Sequence, residues 1–182
     1  LVGVRNLGNE RVSSLSTGWR QRLALGTSIV HKPQLLFLDE PTSGVDPGSR
    51  RAFWDLIYEL VEGGVSALVT THYMDEAEYC GRVGIMREGK LLAMDSPSAL
   101  KTGILPGSAW DIYAEPLMEA LAALESCSCV LRAGLTGDHL RAITPFEMNE
   151  EDLAQSLSET NLHGFRFNRA EPTLEDVFLS LS

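Results

Sequence analysis

Two short apolar runs constrain this chain more than anything else in it. L-L-F-L-D, Leu35 to Asp39, and S-A-L-V-T-T-H, Ser66 to His72, both end in polar side chains. Short continuous apolar runs of this kind predict buried parallel strands. Between them Phe53, Leu56, Ile57, Leu60 and Val61 recur at helical spacing, and Gly63-Gly64 closes that helix. Strand, helix, strand in that order implies an α/β fold with a parallel sheet and right-handed crossovers. Open sheets of this type place ligand sites at the carboxyl ends of their strands. Asp39, Glu40 and His72 fall at those ends. One carboxylate there can hold Mg2+, directly or through water, while the other activates a nucleophilic water. An imidazole at the same edge can hydrogen-bond a phosphate oxygen or the attacking water.

Upstream lies S-S-L-S-T-G-W-R-Q-R-L-A-L-G, Ser13 to Gly26. Ser16 can cap a helix running to about His31, with Trp19, Leu23, Gly26 and Val30 along one face and Lys32-Pro33 as its stop. A capped helix start followed by a basic pattern suits an anion. Downstream, Met74 to about Cys80 reads as a short acidic helix, and V-G-I-M and L-L-A-M, joined by Arg87-Glu88-Gly89-Lys90, as a hairpin.

From about Leu100 the pattern changes. Lys101 to Ser108 reads as a linker. Beyond it come strand (Trp110–Ala114), helix (Pro116–Leu124), strand (Cys127–Arg132), strand (His139–Ile143), helix (Glu150–Ser158), strand (Gly164–Asn168) and a final helix (Thr173–Leu181). That β-α-β-β-α-β order is ferredoxin-like. It predicts a second domain over 100–182, with one face of a four-stranded antiparallel sheet covered by two helices. The final helix carries more apolar surface than this sheet needs, so it is expected to dock onto the first domain or a partner. With 182 residues, two small domains fit the length.

The remaining composition excludes function classes. No run reaches the eighteen apolar residues of a membrane span, so a membrane role would act through a partner. A net charge of −10 argues against nucleic acid as the main partner. The cysteines, Cys80, Cys127 and Cys129, lack metal-ligand spacing and suit a reducing cytoplasm. Cys127 and Cys129 alternate within an apolar run, which predicts core packing on one strand face rather than redox or metal chemistry.

Taken together, the motifs carry a resemblance. L-S-T-G-W-R-Q (15–21) resembles the signature motif of ABC-type ATPases, with Thr17 in place of a glycine and Trp19 in place of the glutamine. L-L-F-L-D-E-P (35–41) resembles their Walker B strand, S-G-V-D (43–46) their D-loop, and V-T-T-H-Y-M-D-E-A-E (69–78) their switch-histidine segment. Order and spacing match over about residues 1–99. E-P-T-L-E-D-V-F-L-S-L (171–181) is similar to the end of ATP-binding subunits of ABC-2-type exporters. No G-x-x-x-x-G-K-[ST] phosphate loop occurs, and Leu1–Val12 resembles the end of a helical subdomain. The chain therefore reads as the C-terminal part of a nucleotide-binding subunit, a truncated P-loop NTPase core (1–99) followed by the ferredoxin-like domain (100–182).

The resemblance implies ATP and Mg2+ as cofactors and ATP hydrolysis driving export. It implies Glu40 as the base that polarises water, Asp39 as support for Mg2+ and His72 at the γ-phosphate. Ser16 and Gly18 would touch nucleotide bound by a second nucleotide-binding subunit across a head-to-tail dimer, and Asp46 would organise that interface. An integral membrane permease would be the other partner, which puts the chain at the cytoplasmic face of the membrane. The rival readings are a soluble ABC-type ATPase of repair or translation, and a non-catalytic regulatory or assembly module.

Overall fold

The computed structural model of the chain describes residues 2–3, 8–157 and 164–181. Part of the expected subdomain end over Leu1–Val12 and the last residue of the expected helix Glu150–Ser158 lie outside these residues. The chain divides into two compact units, Leu1–Tyr79 and Cys80–Ser182.

The first unit holds α1 (Thr17–Ser28), β1 (Leu35–Asp39), α2 (Pro47–Glu62), β2 (Ser66–Thr70) and the short α3 (Met74–Ala77). β1 and β2 pair in parallel, from Leu35 opposite Ser66 to Asp39 opposite Thr70. The predicted strand–helix–strand order is therefore present, with β2 ending two residues before His72. α2 begins where Asp46 caps it, accepting a hydrogen bond from the Ser49 N–H at 2.9 Å, with Pro47 at the first helical position. Its apolar stripe buries Phe53, Trp54, Leu56, Ile57 and Leu60. Removing each such side chain from water contributes about 2 kcal/mol, so this one helix anchors the unit.

Two expectations for this unit change. The strands are covered on one face only: Leu36 is buried, but Phe37 is 72% and Leu68 58% exposed. α1 ends at Ser28 rather than near His31, so Val30 lies beyond it and is exposed, and the buried residues of α1 are Gly18 and Leu25. Gly18, rather than a large apolar residue, makes the close contact with α2: a Cβ there would sit 2.9 Å from the Ser49 Cβ.

The second unit opens with the hairpin β3 (Val83–Arg87) and β4 (Lys90–Asp95). Its two-residue turn puts Glu88 and Gly89 at φ 50° and 75°, the pair of positive values that a tight hairpin turn of matching twist requires. The segment read as linker begins inside a helix, α4 (Pro97–Gly103), whose start is written in Ser96-Pro97. The Ser96 hydroxyl accepts from the Ala99 N–H at 3.2 Å, and Pro97 occupies the first turn.

The rest of the unit is β5 (Ser108–Tyr113), α5 (Leu117–Ser126), β6 (Arg132–Thr136), β7 (His139–Thr144), α6 (Glu150–Leu157), β8 (Arg166–Ala170) and α7 (Leu174–Ser180). The strand order β6-β7-β5-β8, with every pair antiparallel, is the ferredoxin-like arrangement expected. Trp110, Ile112, Leu140, Ala142 and Phe167 on one sheet face pack with Ala120 and Leu124 of α5 and Leu153 and Leu157 of α6. The other face carries Asp111 and Arg141, over which α7 lies. Arg141 donates to Asp111 Oδ1 at 2.7 Å, to Asp176 Oδ2 at 2.7 Å and to the Glu171 carbonyl at 2.6 Å. Thr173 and Asp176 form a reciprocal capping box at the start of α7. Burial pushes the Asp176 carboxyl up, but its hydrogen bonds to Arg141 and Thr173 outweigh this and hold its pKa below the ordinary 3.8. Within this unit, α7 packs against α4 as well.

One strand is displaced from its reading. The run from Cys127 is not a strand; Cys127 ends α5, a turn follows, and β6 starts at Arg132. In that turn Cys127 and Cys129 are joined by a disulfide, with Cα atoms 5.2 Å apart. Alternation on a strand would have kept both thiols apart and inward; the turn brings the sulfurs together.

Candidate active site

The carboxyl ends of β1 and β2 bring three of the predicted residues together. Thr70, the last residue of β2, organises them. Its hydroxyl hydrogen-bonds the Asp39 carboxylate and accepts from the Glu40 N–H at 3.0 Å, while its carbonyl accepts from the same N–H at 3.1 Å. Glu40 is held at φ 41°, a left-handed conformation that an L-residue with a long side chain rarely adopts. That twist ends the strand and turns the second carboxylate of the pair to meet His72, whose Nδ1 lies 3.2 Å from Glu40 Oε2. Both side chains are about half exposed, at 52% for His72 and 48% for Glu40. The His72 ring also rests against Tyr73, with centroids 4.1 Å apart.

A second grouping forms where α1 and α2 begin. Ser16 caps α1 by accepting from the Trp19 N–H at 3.4 Å. Gly18 is buried against Ser49 and Val45, and Ser49 is the residue whose N–H and side chain bond Asp46. The Ser49 hydrogen bonds hold the Asp46 carboxyl below its ordinary value of 3.8 and keep it anionic. Gly18 and Asp46 thus meet through Ser49, and Asp39 and Glu40 through Thr70, with His72 joined to Glu40.

The sequence reading missed the network beneath these strand ends. Glu76, fully buried, accepts from Thr42 Oγ1 at 2.6 Å and from Thr71 Oγ1 at 2.8 Å, and pairs with Arg50 Nε at 3.4 Å. Thr71 Oγ1 in turn accepts from the Tyr73 N–H at 3.0 Å, and the Arg50 guanidinium covers the Tyr73 ring at 4.0 Å. One carboxylate therefore ties the loop after Glu40 to the segment that carries His72, and both to α2. A buried charge with this many partners is a positioning element; removing it would strand Arg50 and two hydroxyls at a cost of about 3 kcal/mol. The signal available in the sequence was only an acid on a short helix, which reads as solvated surface.

The donor set suits Mg2+ chemistry. Asp39 and Glu40 offer accessible carboxylate oxygens at a strand end, and Thr70 fixes the first of them. Among the described residues no group of three or more His, Cys, Asp or Glu forms a metal cage. A cation that keeps several waters and takes one or two protein carboxylates, as Mg2+ does, fits such a set.

Residues 1–43 match the family model described as ABC transporter. The structure of cbiO1 from Clostridium perfringens, part of the ABC transporter complex cbiONQ, is similar at a TM-score of 0.51 and 30% identity, over 56% of this chain and 41% of that chain. The fold class is accordingly that of ABC ATPase domains. The probable multidrug ABC transporter ATP-binding protein YbhF of Escherichia coli is 50% identical over 117 residues, 64% of this chain and 20% of that protein. The Nod factor export ATP-binding protein I of Rhizobium johnstonii is 35% identical over 175 residues, 96% of this chain and 54% of that protein. By sequence, the chain is related to the ATP-binding proteins of ABC transporters. It spans from about a tenth to three fifths of the length of the curated relatives it matches.

Proposed function

We propose that this chain is part of an ATP-hydrolysing subunit of an ABC-type exporter. The observation that carries the reading is the Glu40–His72 pair, 3.2 Å apart at the carboxyl edge of two parallel strands and beside Asp39. In the active protein Glu40 accepts the proton of the attacking water. His72, bonded to Glu40 through Nδ1, presents Nε2 to the γ-phosphate. Asp39 takes Mg2+, whose charge would offset that of the phosphates. Positioning and electrostatics do most of the work in phosphoryl transfer, and the Thr70 and Glu76 hydrogen bonds serve that positioning.

Ser16 and the free N–H groups at the start of α1 face nucleotide bound by a second subunit in a head-to-tail dimer, and Asp46 lies at the same interface. Close packing of Gly18 on Ser49 makes α1 and the Asp46 loop move as one piece, which suits a contact that must form and release with each turnover. A membrane permease converts closure into transport. Among the described residues no helix is long and apolar enough to cross a membrane, and we place the subunit peripherally at the cytoplasmic face. Functionally, we draw the boundary near residue 99, so that the β3–β4 hairpin serves the ATPase part and 100–182 is accessory.

The test uses the longer protein that carries this chain. Glu40→Gln keeps shape and hydrogen bonding but cannot take the proton. Turnover should fall at least about 100-fold with ATP binding retained, and His72→Ala should likewise lower the rate more than binding. Near-normal turnover of a folded Glu40→Gln protein would remove Glu40 as the base.

A further inference from the structure

The turn between α5 and β6 holds a feature that ATP hydrolysis does not use. Cys127 and Cys129 are bonded across a single exposed residue, Ser128. The third cysteine, Cys80, lies outside that bond. Cys127 ends α5, its N–H bonded to the Ala123 and Leu124 carbonyls, and its own carbonyl accepts from the Val130 N–H at 3.0 Å. The turn is therefore fixed by backbone hydrogen bonds as well as by sulfur. Both cysteines are half-buried at the margin of the core formed by the sheet and its two helices, so a small reagent can reach them.

We propose that Cys127 and Cys129 form a reversible dithiol–disulfide site that exchanges with low-molecular-weight disulfides of the glutathione class. Two physical points separate this from a structural crosslink. A disulfide stabilises a fold chiefly by closing a loop in the unfolded chain, and the gain shrinks with loop length; closing across one residue gains little. The core of the second unit is filled by Ile112, Leu124, Leu140, Leu153 and Leu157, all fully buried, and the two cysteines lie at its margin. By that reckoning the bond contributes little to folding, and it is close at hand for chemistry. This rests on the cytoplasmic placement proposed above, since disulfides in a reducing compartment are characteristically transient and redox-sensing.

The thiolate of one cysteine attacks a sulfur of the small disulfide, forming a mixed disulfide and expelling one thiolate. The second cysteine, deprotonated, attacks the protein sulfur of that mixed disulfide, closes the Cys127–Cys129 bond and expels the second thiolate. The protein loses two electrons and two protons; the small disulfide is reduced to two thiols. What changes structurally is the turn that sets where β6 begins, since Leu131 donates to Ile143 at its start.

The test needs only the 182-residue chain and does not depend on the ATPase reading. The chain is equilibrated in glutathione buffers from fully reduced to fully oxidised, quenched in acid, and labelled at its free thiols for mass analysis. Cys127 and Cys129 should lose label together in one reversible two-electron step. Cys127→Ser and Cys129→Ser should each abolish that step and carry a single glutathione adduct on the remaining cysteine. Amides of Cys129, Val130 and Leu131 should exchange about tenfold faster in the reduced chain. Labelling of both thiols in oxidised glutathione, or a bond that persists in reduced glutathione in the native chain, would overturn the proposal. Unchanged amide exchange would remove its structural consequence.

Discussion

The parallel pair β1–β2 and the four-stranded sheet of the second unit solve the problem of burial differently. In the second unit the four antiparallel strands seal one face completely: Ile112, Leu140 and Ala142 are 0% exposed beneath α5 and α6. In the first unit the parallel pair β1–β2 is backed by α2 on one side and open on the other, with Leu35, Phe37 and Leu68 exposed. Antiparallel sheets tolerate one wet face, whereas parallel strands are ordinarily covered on both. The difference teaches that the two units carry their stability in different places. The ferredoxin-like fold holds its own core, while the strands that present Asp39, Glu40 and His72 rely on α2 and on the buried polar network around Glu76.

That contrast can be broken by substitution. The largest effect is expected from Ile112→Ala, which opens a cavity in the sealed core; urea unfolding of the chain should show a loss of about 3 kcal/mol. A loss below about 1 kcal/mol would mean that this core is loosely packed. Next is Asp176→Asn at the second face of the same sheet. Asp176 has its pKa lowered in the folded chain, so its stabilisation is fully present above the ordinary value of 3.8 and is lost as pH falls through the folded value. The variant should be less stable by about 2 kcal/mol at neutral pH, and the gap between the two proteins should close as pH falls below 3.8. A gap independent of pH would deny the ion pair its role. The smallest effect is expected from Phe37→Ser on the open face, within about 0.5 kcal/mol in the same unfolding measurement. A loss approaching that of Ile112→Ala would show that Phe37 is covered in solution and that the two sheets are more alike than they look.

Periodicity and end signals made much of this legible. β1 runs from Leu35 to Asp39 as read, because a short apolar run ended by acids has few alternatives. The ferredoxin-like order followed from alternation and turn residues, and the clustering of Asp39, Glu40 and His72 from the rule that strand ends gather in space. What stayed hidden depends on partners far along the chain. Thr70 binds Asp39 across 31 residues and Thr42 binds Glu76 across 34, and no local pattern announces such pairs. Half-covered strands look the same in sequence as buried ones, so the exposure of Phe37 was not readable. The Cys127–Cys129 bond was hidden by a wrong period: alternation suggested a strand where a turn was forming. In contrast, the start of α4 is written in Ser96-Pro97, but the glycines and proline that follow suggest a linker.

The backbone at Glu40 has a last consequence. A left-handed φ of 41° is the natural province of glycine or asparagine, and a chain shaped by folding alone would place one of them there. A glutamate instead keeps a conformation that opposes its own side chain, held by the two hydrogen bonds of its N–H to Thr70. Thr70 thus holds the strain at the point where the strand ends and the carboxylate turns towards His72.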